Sequence, residues 1–130
     1  MEVFLLKVLI CDDDKCIVDE NKNNLNTFSD KHRIVFDIDL FYNGVELLNS
    51  NISYDMAFID IEMPLVNGLT LSAQLKKVNS NIIIFIITSH DAYLDDAMDL
   101  DVFRYLSKPI DNNRFFRALN TAINYYHSNT

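Results

Sequence analysis

The segment Val8-Leu9-Ile10-Cys11-Asp12-Asp13-Asp14, residues 8–14, passes from four apolar side chains directly into three aspartates. A short apolar run without alternation is typical of a strand that is buried on both faces of a parallel sheet. Three later runs resemble it, the last of them of mixed composition: Met56–Ile59, Ile82–Ile87 and Val102–Leu106. The sequence therefore predicts four buried parallel strands.

A fifth strand is predicted at an edge of this sheet. Apolar and acidic side chains alternate in Phe36-Asp37-Ile38-Asp39-Leu40, as expected for a strand with one face in water. Amphipathic stretches separate the strands, and their apolar spacing predicts five helices, near Ile17–Phe28, Val45–Leu48, Leu71–Val78, Ala92–Leu100 and Phe115–Tyr126. The helix at 92–100 is short and acidic, so we expect it to be marginal and mobile.

The alternation of strands and helices predicts an α/β fold with right-handed crossovers. With the alternating strand at the edge, the pattern favours a flavodoxin-like doubly wound (βα)5 fold, with helices on both faces of a five-stranded parallel sheet of order 2-1-3-4-5. In such sheets a site forms beyond the carboxyl ends of the strands. The two glycines, Gly44 and Gly68, each follow an asparagine at a predicted junction, where we expect positive φ.

The bulk composition limits the class of protein. A chain of 130 residues, 49% hydrophobic and 23% charged, fits one soluble domain with a single core. Its net charge of -8 argues against direct contact with nucleic acid, which is bound largely through Lys and Arg. Cys11 and Cys16 resemble neither a disulfide framework nor a zinc site, and no apolar run approaches the ~20 residues that span a bilayer. We expect a reduced, cytoplasmic protein with no membrane contact.

Polar residues follow four of the predicted strands at the edge where a site should form. Asp12 and Asp13 follow the first strand, Asp60 the third, Thr88 the fourth and Lys108 the fifth. Clustered carboxylates repel one another by roughly 4 kcal/mol per pair at about 4 Å, and Mg2+ would remove this penalty through its oxygen ligands. A carboxylate can then act as a nucleophile toward phosphorus, while the ammonium and the hydroxyl bind the transferred group.

Each of these residues also has a plain structural explanation. An Asp after a strand is often a helix cap, a lone Thr is most often a turn residue, and Lys-Pro can begin a helix with Pro in its first turn. Only the convergence of the whole set on one edge of one sheet favours phosphoryl-transfer chemistry over caps and turns.

Four segments together resemble a known family: Val8–Asp14, Tyr54–Pro64, Ile86–Ser89 and Arg104–Pro109. In this order and spacing they are similar to the signature segments of response regulator receiver domains. The likeness extends from about Lys7 to the last predicted helix. Asp60-Ile61-Glu62-Met63-Pro64, together with Arg104-Tyr105-Leu106, most resembles receivers that are coupled to LytTR-type DNA-binding domains.

The resemblance implies a role for each matching residue. Asp60 is implied as the phosphoacceptor and a metal ligand, with Asp13 binding Mg2+ directly and Asp12 through water. The backbone carbonyl of Glu62 is implied as a further metal ligand, and Lys108 as the counter-charge of the phosphate, with a cis peptide between Lys108 and Pro109. Thr88 and Tyr105 are implied as the switch pair. Glu62 and His90 are implied as residues that tune dephosphorylation. A half-buried strand aromatic remains an alternative for Tyr105, as does a surface loop histidine for His90.

The implied function is a phosphorylation-dependent signalling switch and not an enzyme with a separate substrate. A sensor histidine kinase would donate the phosphoryl group, and the surface of the fourth helix, fifth strand and last helix would change to control an output, which we expect to be transcription. Phosphorylation would also favour a homodimer.

We expect a single receiver domain over 1–130, with its core at about 7–127, and an output domain absent from this chain, which favours a fragment over a stand-alone regulator. DNA would be contacted only by that output domain.

Three other functions compete with the switch, and the sequence speaks against the second of them. A small phosphohydrolase with an aspartyl-phosphate intermediate would want its nucleophile on the first strand and a second Asp where this chain has Glu62. A flavodoxin-like cofactor module needs a Ser/Thr/Gly-rich phosphate cradle after the first strand, where three aspartates would repel the phosphate. A receiver fold used only for docking ranks below the switch, because every phosphorylation residue is present.

Overall fold

The computed structural model describes residues 4–89 and 102–129, and within these residues a helix follows each strand except the fourth. The strands are β1 (Phe4–Cys11), β2 (Ile34–Phe41), β3 (Met56–Ile59), β4 (Ile83–Thr88) and β5 (Arg104–Ser107). The helices are α1 (Lys15–Lys31), α2 (Val45–Leu48), α3 (Gly68–Val78) and α4 (Asn112–Ser128). The helix predicted at 92–100 and the loop residue His90 lie outside the described residues. None of the described helices is both long enough and apolar enough to cross a bilayer.

The five strands form one parallel sheet in the order β2-β1-β3-β4-β5. This confirms the predicted flavodoxin-like order and the edge position of the alternating strand. β1 begins four residues earlier than the apolar run at Val8, because Lys7 does not interrupt it. Instead, the Lys7 ammonium lies 3.1 Å from Asp37 and 3.7 Å from Asp39 on β2, so opposite charges join the two strands.

Hydrophobic clusters cover both faces of the sheet, and alternate residues of β1 divide between them. Leu6, Val8 and Ile10 pack with α1 and α4, whereas Leu9 and Cys11 pack with α2 and α3. Successive side chains of a strand point to opposite faces, so a strand covered by helices on both sides must be apolar at every position. All six residues of β4 are buried for this reason.

Side-chain caps fix where the helices begin. The Asp14 carboxylate accepts a hydrogen bond from the Cys16 N–H at 2.9 Å and caps α1. In the same way Asn67 caps α3 through the Thr70 N–H, and Asp111 caps α4. The third aspartate after β1 is therefore a helix cap, whereas Asp12 and Asp13 are left for other contacts.

The glycines do not have the positive φ that was expected of them. No described glycine has positive φ, and Gly44 has a φ of -87°. Gly68 is instead required by close packing, because a Cβ there would overlap the Asp60 carbonyl oxygen and lie 2.8 Å from Ile59 Cγ2. Its N–H donates to the Ile61 carbonyl at 2.8 Å, so α3 begins directly against the end of β3.

The packing at Gly68 predicts that Gly68→Ala destabilises the fold by about 3 kcal/mol or more, because the new methyl group meets backbone that cannot move aside. Gly44→Ala is the matched control. Its Cβ would meet the end of the Leu71 side chain at 2.9 Å and the Val66 Cβ at 3.0 Å, but its nearest contacts include no backbone atom, so we expect a smaller loss of about 1–2 kcal/mol. Urea unfolding measures both, and equal losses would contradict the packing argument.

Candidate functional site

The carboxyl ends of β1 and β3 bring three aspartates together. The Asp60 N–H donates to the Cys11 carbonyl at 3.0 Å, which places the residue after β3 beside the end of β1. One carboxylate oxygen from each of Asp12, Asp13 and Asp60 lies within 4.8 Å of the others. Asp12 and Asp60 are buried and Asp13 is exposed, so the cluster opens to solvent on one side.

Lys108 provides the positive charge of this crevice. Its Nζ lies 2.8 Å from Asp12 Oδ2 and 3.3 Å from Asp60 Oδ2. Its backbone N–H donates to the Thr88 carbonyl at 3.0 Å, which fixes the end of β5 beside that of β4. The Lys108-Pro109 peptide is cis, as the family resemblance implied. The ammonium pairs more closely with Asp12 than with Asp60, a preference that the sequence did not predict.

The surroundings shift the ionisation of the crevice residues. Burial raises the pKa of Asp12, although its hydrogen bonds from Lys108 and from the Asp14 N–H act in the opposite direction. For Lys108, burial lowers the pKa, but Asp12 and Asp60 outweigh it, so the net pKa is raised. Lys108 therefore remains an ammonium at neutral pH.

The residues present fit a divalent cation. Asp60 Oδ1 is buried, and no hydrogen-bond donor among the described residues reaches it. A buried carboxylate oxygen without a partner is costly, and a bound cation would offset that cost. Three carboxylates face one ammonium, and a ligand set made only of oxygens suits Mg2+.

The predicted switch residues lie on neighbouring strands. Thr88 is fully buried at the end of β4, and Tyr105 is half-buried on β5, packed against the cluster that includes α3. Tyr105 is opposite Ile86, two residues before Thr88, so the Tyr105 and Thr88 side chains project from the same face of the sheet. Glu62 is exposed, two residues beyond Asp60.

The sequence pattern does not reveal the part that Gly68 plays in the site. Its contact with the Asp60 carbonyl fixes the backbone that follows the cluster, and no side chain larger than hydrogen fits there. The signal in the sequence is the Asn67-Gly68 pair at the start of a helical pattern, which predicts a positive-φ junction. Leu65 has the positive φ instead, at 72°.

Comparisons with known proteins agree with this geometry. A family model described as "Response regulator receiver domain" matches residues 8–120. The sensory transduction protein LytT of Bacillus anthracis is 31% identical over 115 residues, which cover 88% of this chain and 46% of LytT. The transcriptional regulatory protein BtsR of Escherichia coli is 31% identical over 117 residues, which cover 88% of this chain and 47% of BtsR. The chain thus spans about half the length of these curated relatives.

Solved structures show the same fold. The response regulator TrrA from Thermotoga maritima, solved in complex with Mg2+-BeF, has a TM-score of 0.75 and is 24% identical. The match covers 90% of this chain and 98% of that one. The LytT and BtsR relatives are also consistent with the resemblance to LytTR-type receivers.

The two cysteines should differ sharply in reactivity. Burial, followed by the charges of Asp12, Asp60 and Asp13, raises the pKa of the Cys11 thiol to about 12, so roughly one thiol in ten thousand is ionised at about pH 8. Cys16 is exposed. We expect iodoacetamide to add once to the folded protein, at Cys16, and twice after denaturation, as measured by mass spectrometry. Two additions of similar rate in the folded state would contradict the burial of Cys11.

Proposed function

Because this chain belongs to the response regulator receiver domain family, we propose that it is a phosphorylation switch whose Asp60 accepts a phosphoryl group from a sensor histidine kinase. Receiver domains of two-component response regulators act in phosphorylation-dependent signalling. The observation that carries the proposal is the buried Asp60 carboxylate, which has one oxygen 3.3 Å from the Lys108 ammonium and the other without a donor among the described residues.

The crevice residues divide the chemistry between them. An Asp60 oxygen forms a bond to phosphorus as the bond between phosphorus and the donor imidazole nitrogen breaks. Lys108 is held by Asp12, with Nζ 2.8 Å from Oδ2, so its charge is already beside the acceptor before the phosphoryl group arrives. The Thr88 hydroxyl is proposed to bind another phosphoryl oxygen.

Mg2+ is the cofactor that we propose for this transfer. Asp13 and Asp60 would bind it directly, Asp12 through water, and Glu62 through its backbone carbonyl. When bound, the ion would neutralise the carboxylates and one oxygen of the transferred group. The relative TrrA was solved with Mg2+-BeF, which supports the proposal.

The proposed switch is a shift between two pre-existing states. Phosphate would draw Thr88 inward, and Tyr105 would fill the space that it leaves. The change would appear on the surface formed by the 92–100 segment, β5 and α4. The helix predicted in that segment and the tuning residue His90 lie outside the described residues, so their parts in the switch stay predictions. Glu62, two residues beyond Asp60, is proposed to border the path of the water that removes the phosphate.

The proposed output is transcription, through a domain outside residues 1–130. LytT is named a sensory transduction protein and BtsR a transcriptional regulatory protein, which supports this output. We propose that the protein is cytoplasmic, has no direct DNA or membrane contact, and forms a homodimer in the phosphorylated state.

A phosphohydrolase of the haloacid-dehalogenase type is disfavoured, because Asp60 follows β3 and not β1.

Replacing Asp60 by Asn should reduce labelling by radioactive acetyl phosphate to background, because an amide cannot form the acyl phosphate. Asp19→Asn is the matched control, since Asp19 is exposed on α1 and loses the same charge. The control should label like the wild type, and circular dichroism should find both variants folded. Labelling of Asp60→Asn at the control level would overturn the assignment.

Mg2+ should stabilise the folded chain. At ten times its Kd, an ion that binds only the native state raises the free energy of unfolding by about 1.4 kcal/mol. Asp13→Asn should lose most of this increase, and Asp19→Asn should keep it. Urea unfolding with and without Mg2+ measures the difference, and an equal increase in both variants would remove Asp13 from the proposed ligand set.

A further inference from the structure

One cavity lies at the edge of the sheet where β3 and β4 begin, at the opposite ends of these strands from the crevice. We call it the amide cavity, because three carboxamides contribute to its wall. Its volume is about 250 Å³. The residues that line it include Asp55, Asn79, Asn81, Ile83, Tyr125 and Asn129. The cavity thus belongs to a part of the molecule that the proposed phosphotransfer does not use.

Asp55 gives the amide cavity a negative charge. Its carboxylate is half-buried, and Oδ2 accepts the Lys7 N–H at 2.8 Å, which holds the side chain in place. The ion pairs within residues 4–89 and 102–129 do not include Asp55. Its field reaches α4, since it raises the pKa of the Tyr126 phenol in addition to the larger effect of burial. A carboxylate can accept about four hydrogen bonds, so most of the capacity of Asp55 is left for a ligand.

Two helices end at the amide cavity and add to its negative character. Asn79 is the residue that caps the end of α3, and Asn129 caps the end of α4. The carboxyl end of a helix carries a partial negative charge, which favours a cation nearby. Asp55 and both helix ends therefore act in the same direction, on a chain whose net charge is -8.

The rest of the chain does not reverse this sign. Residues 1–3, 90–101 and 130, which lie outside the described residues, contain six acidic residues and no Lys or Arg. Among the described residues, Lys76 lines an adjoining cavity of about 210 Å³ that shares Asn81, Ile83 and Tyr125 with the amide cavity. Its positive charge disfavours a second cationic group on the ligand, so we expect a ligand with a single positive charge.

The hydrogen-bonding groups of the amide cavity are mostly acceptors. The Asn79 Nδ2 donates to the Tyr54 carbonyl at 2.8 Å, and the Asn129 Nδ2 donates to the Tyr125 carbonyl at 2.8 Å. Two of the three carboxamides thus use a donor on the protein's own backbone, while each carboxamide oxygen has two lone pairs. An ammonium group has three donors and no acceptor, so it complements this set better than a hydroxyl or a carboxylate does.

The apolar part of the wall favours an organic cation. Ile83 is 3% exposed, and the Tyr125 ring lies on the opposite element, α4. A carbon stem can pack on both side chains, and an aromatic ring also attracts a cation at its face. A bare metal ion would instead need six or more oxygen ligands, and it would leave these apolar groups without a contact.

We propose that the amide cavity binds a small primary alkylammonium ligand. Its N–H groups would donate to Asp55 and to the carboxamide oxygens, and its stem would contact Ile83 and Tyr125. The proposal uses neither the three aspartates of the crevice nor a phosphate on Asp60, so its failure would leave the proposed phosphotransfer intact.

The test is a nuclear magnetic resonance titration of the isotopically labelled chain with butylammonium chloride, in the presence of Mg2+ as a competitor at the crevice. We expect the amide resonances of Asn81, Ile83 and Asn129 to shift, with a Kd in the millimolar range that suits so small a ligand. Butan-1-ol lacks the charge, tetramethylammonium lacks the N–H donors, and K+ lacks the stem. None of these three should shift the same resonances at equal concentration.

Asp55→Asn should raise the Kd about fivefold or more, because it removes the charge-assisted hydrogen bond but keeps an oxygen for the Lys7 N–H. Asp19→Asn, at an exposed position on α1, is the matched control and should stay within about twofold of the wild type. A purely structural role for Asp55 predicts no difference between the two variants, and that result would overturn the proposal.

A second pair of variants keeps the proposal testable if Asp55→Asn unfolds. Asn81 is exposed, and Asn81→Lys adds a positive charge to the wall, so butylammonium should bind about fivefold more weakly or less tightly still. Asn26→Lys adds the same charge at an exposed position on α1 and should bind like the wild type. Equal losses in this pair, no shifts in the wild type, or equal shifts with tetramethylammonium or K+ would also overturn the proposal.

Discussion

The buried carboxylates of Asp12 and Asp60 are held beside one another by a single ammonium, that of Lys108, which lies 2.8 Å from one and 3.3 Å from the other. Two partly desolvated negative charges in contact would otherwise destabilise the native state. The ammonium offsets part of this cost, but three carboxylates still exceed one positive charge. The crevice therefore attracts cations. In addition, one oxygen of the buried Asp60 carboxylate has no hydrogen-bond donor among the described residues.

The rest of the fold serves to hold these groups in place. β1 and β3 are adjacent and parallel, so the residues that follow them, Asp12 and Asp60, must lie at the same edge of the sheet. Lys108 joins them because its N–H bonds the Thr88 carbonyl at the end of β4. Stacked rings of Phe58 and Phe85, 4.7 Å apart, pack β3 against β4 beneath the crevice. Precision at the site therefore comes from strand pairing and core packing together.

Among the described residues, charge is distributed unevenly. Asp12, Asp13 and Asp60 make the crevice acidic, whereas Arg104 on β5 and Arg114 and Arg117 on α4 line one groove. The two regions are joined through β5, since Lys108 directly follows the strand that carries Arg104.

The order of the strands and their approximate positions could be predicted from the sequence, because helices on both faces force continuous apolar runs and an edge strand alternates. The residues that meet at the crevice could also be predicted, because parallel strands end on one side. Other features became visible only in the folded chain. Asp14 caps α1, Lys108 lies closer to Asp12 than to Asp60, and Gly68 is required by contact with the Asp60 carbonyl and not by positive φ. Folding also brings Arg104 beside Arg114 and Arg117 in one groove. These features depend on distances between residues far apart in the chain, and local periodicity contains no information about such distances.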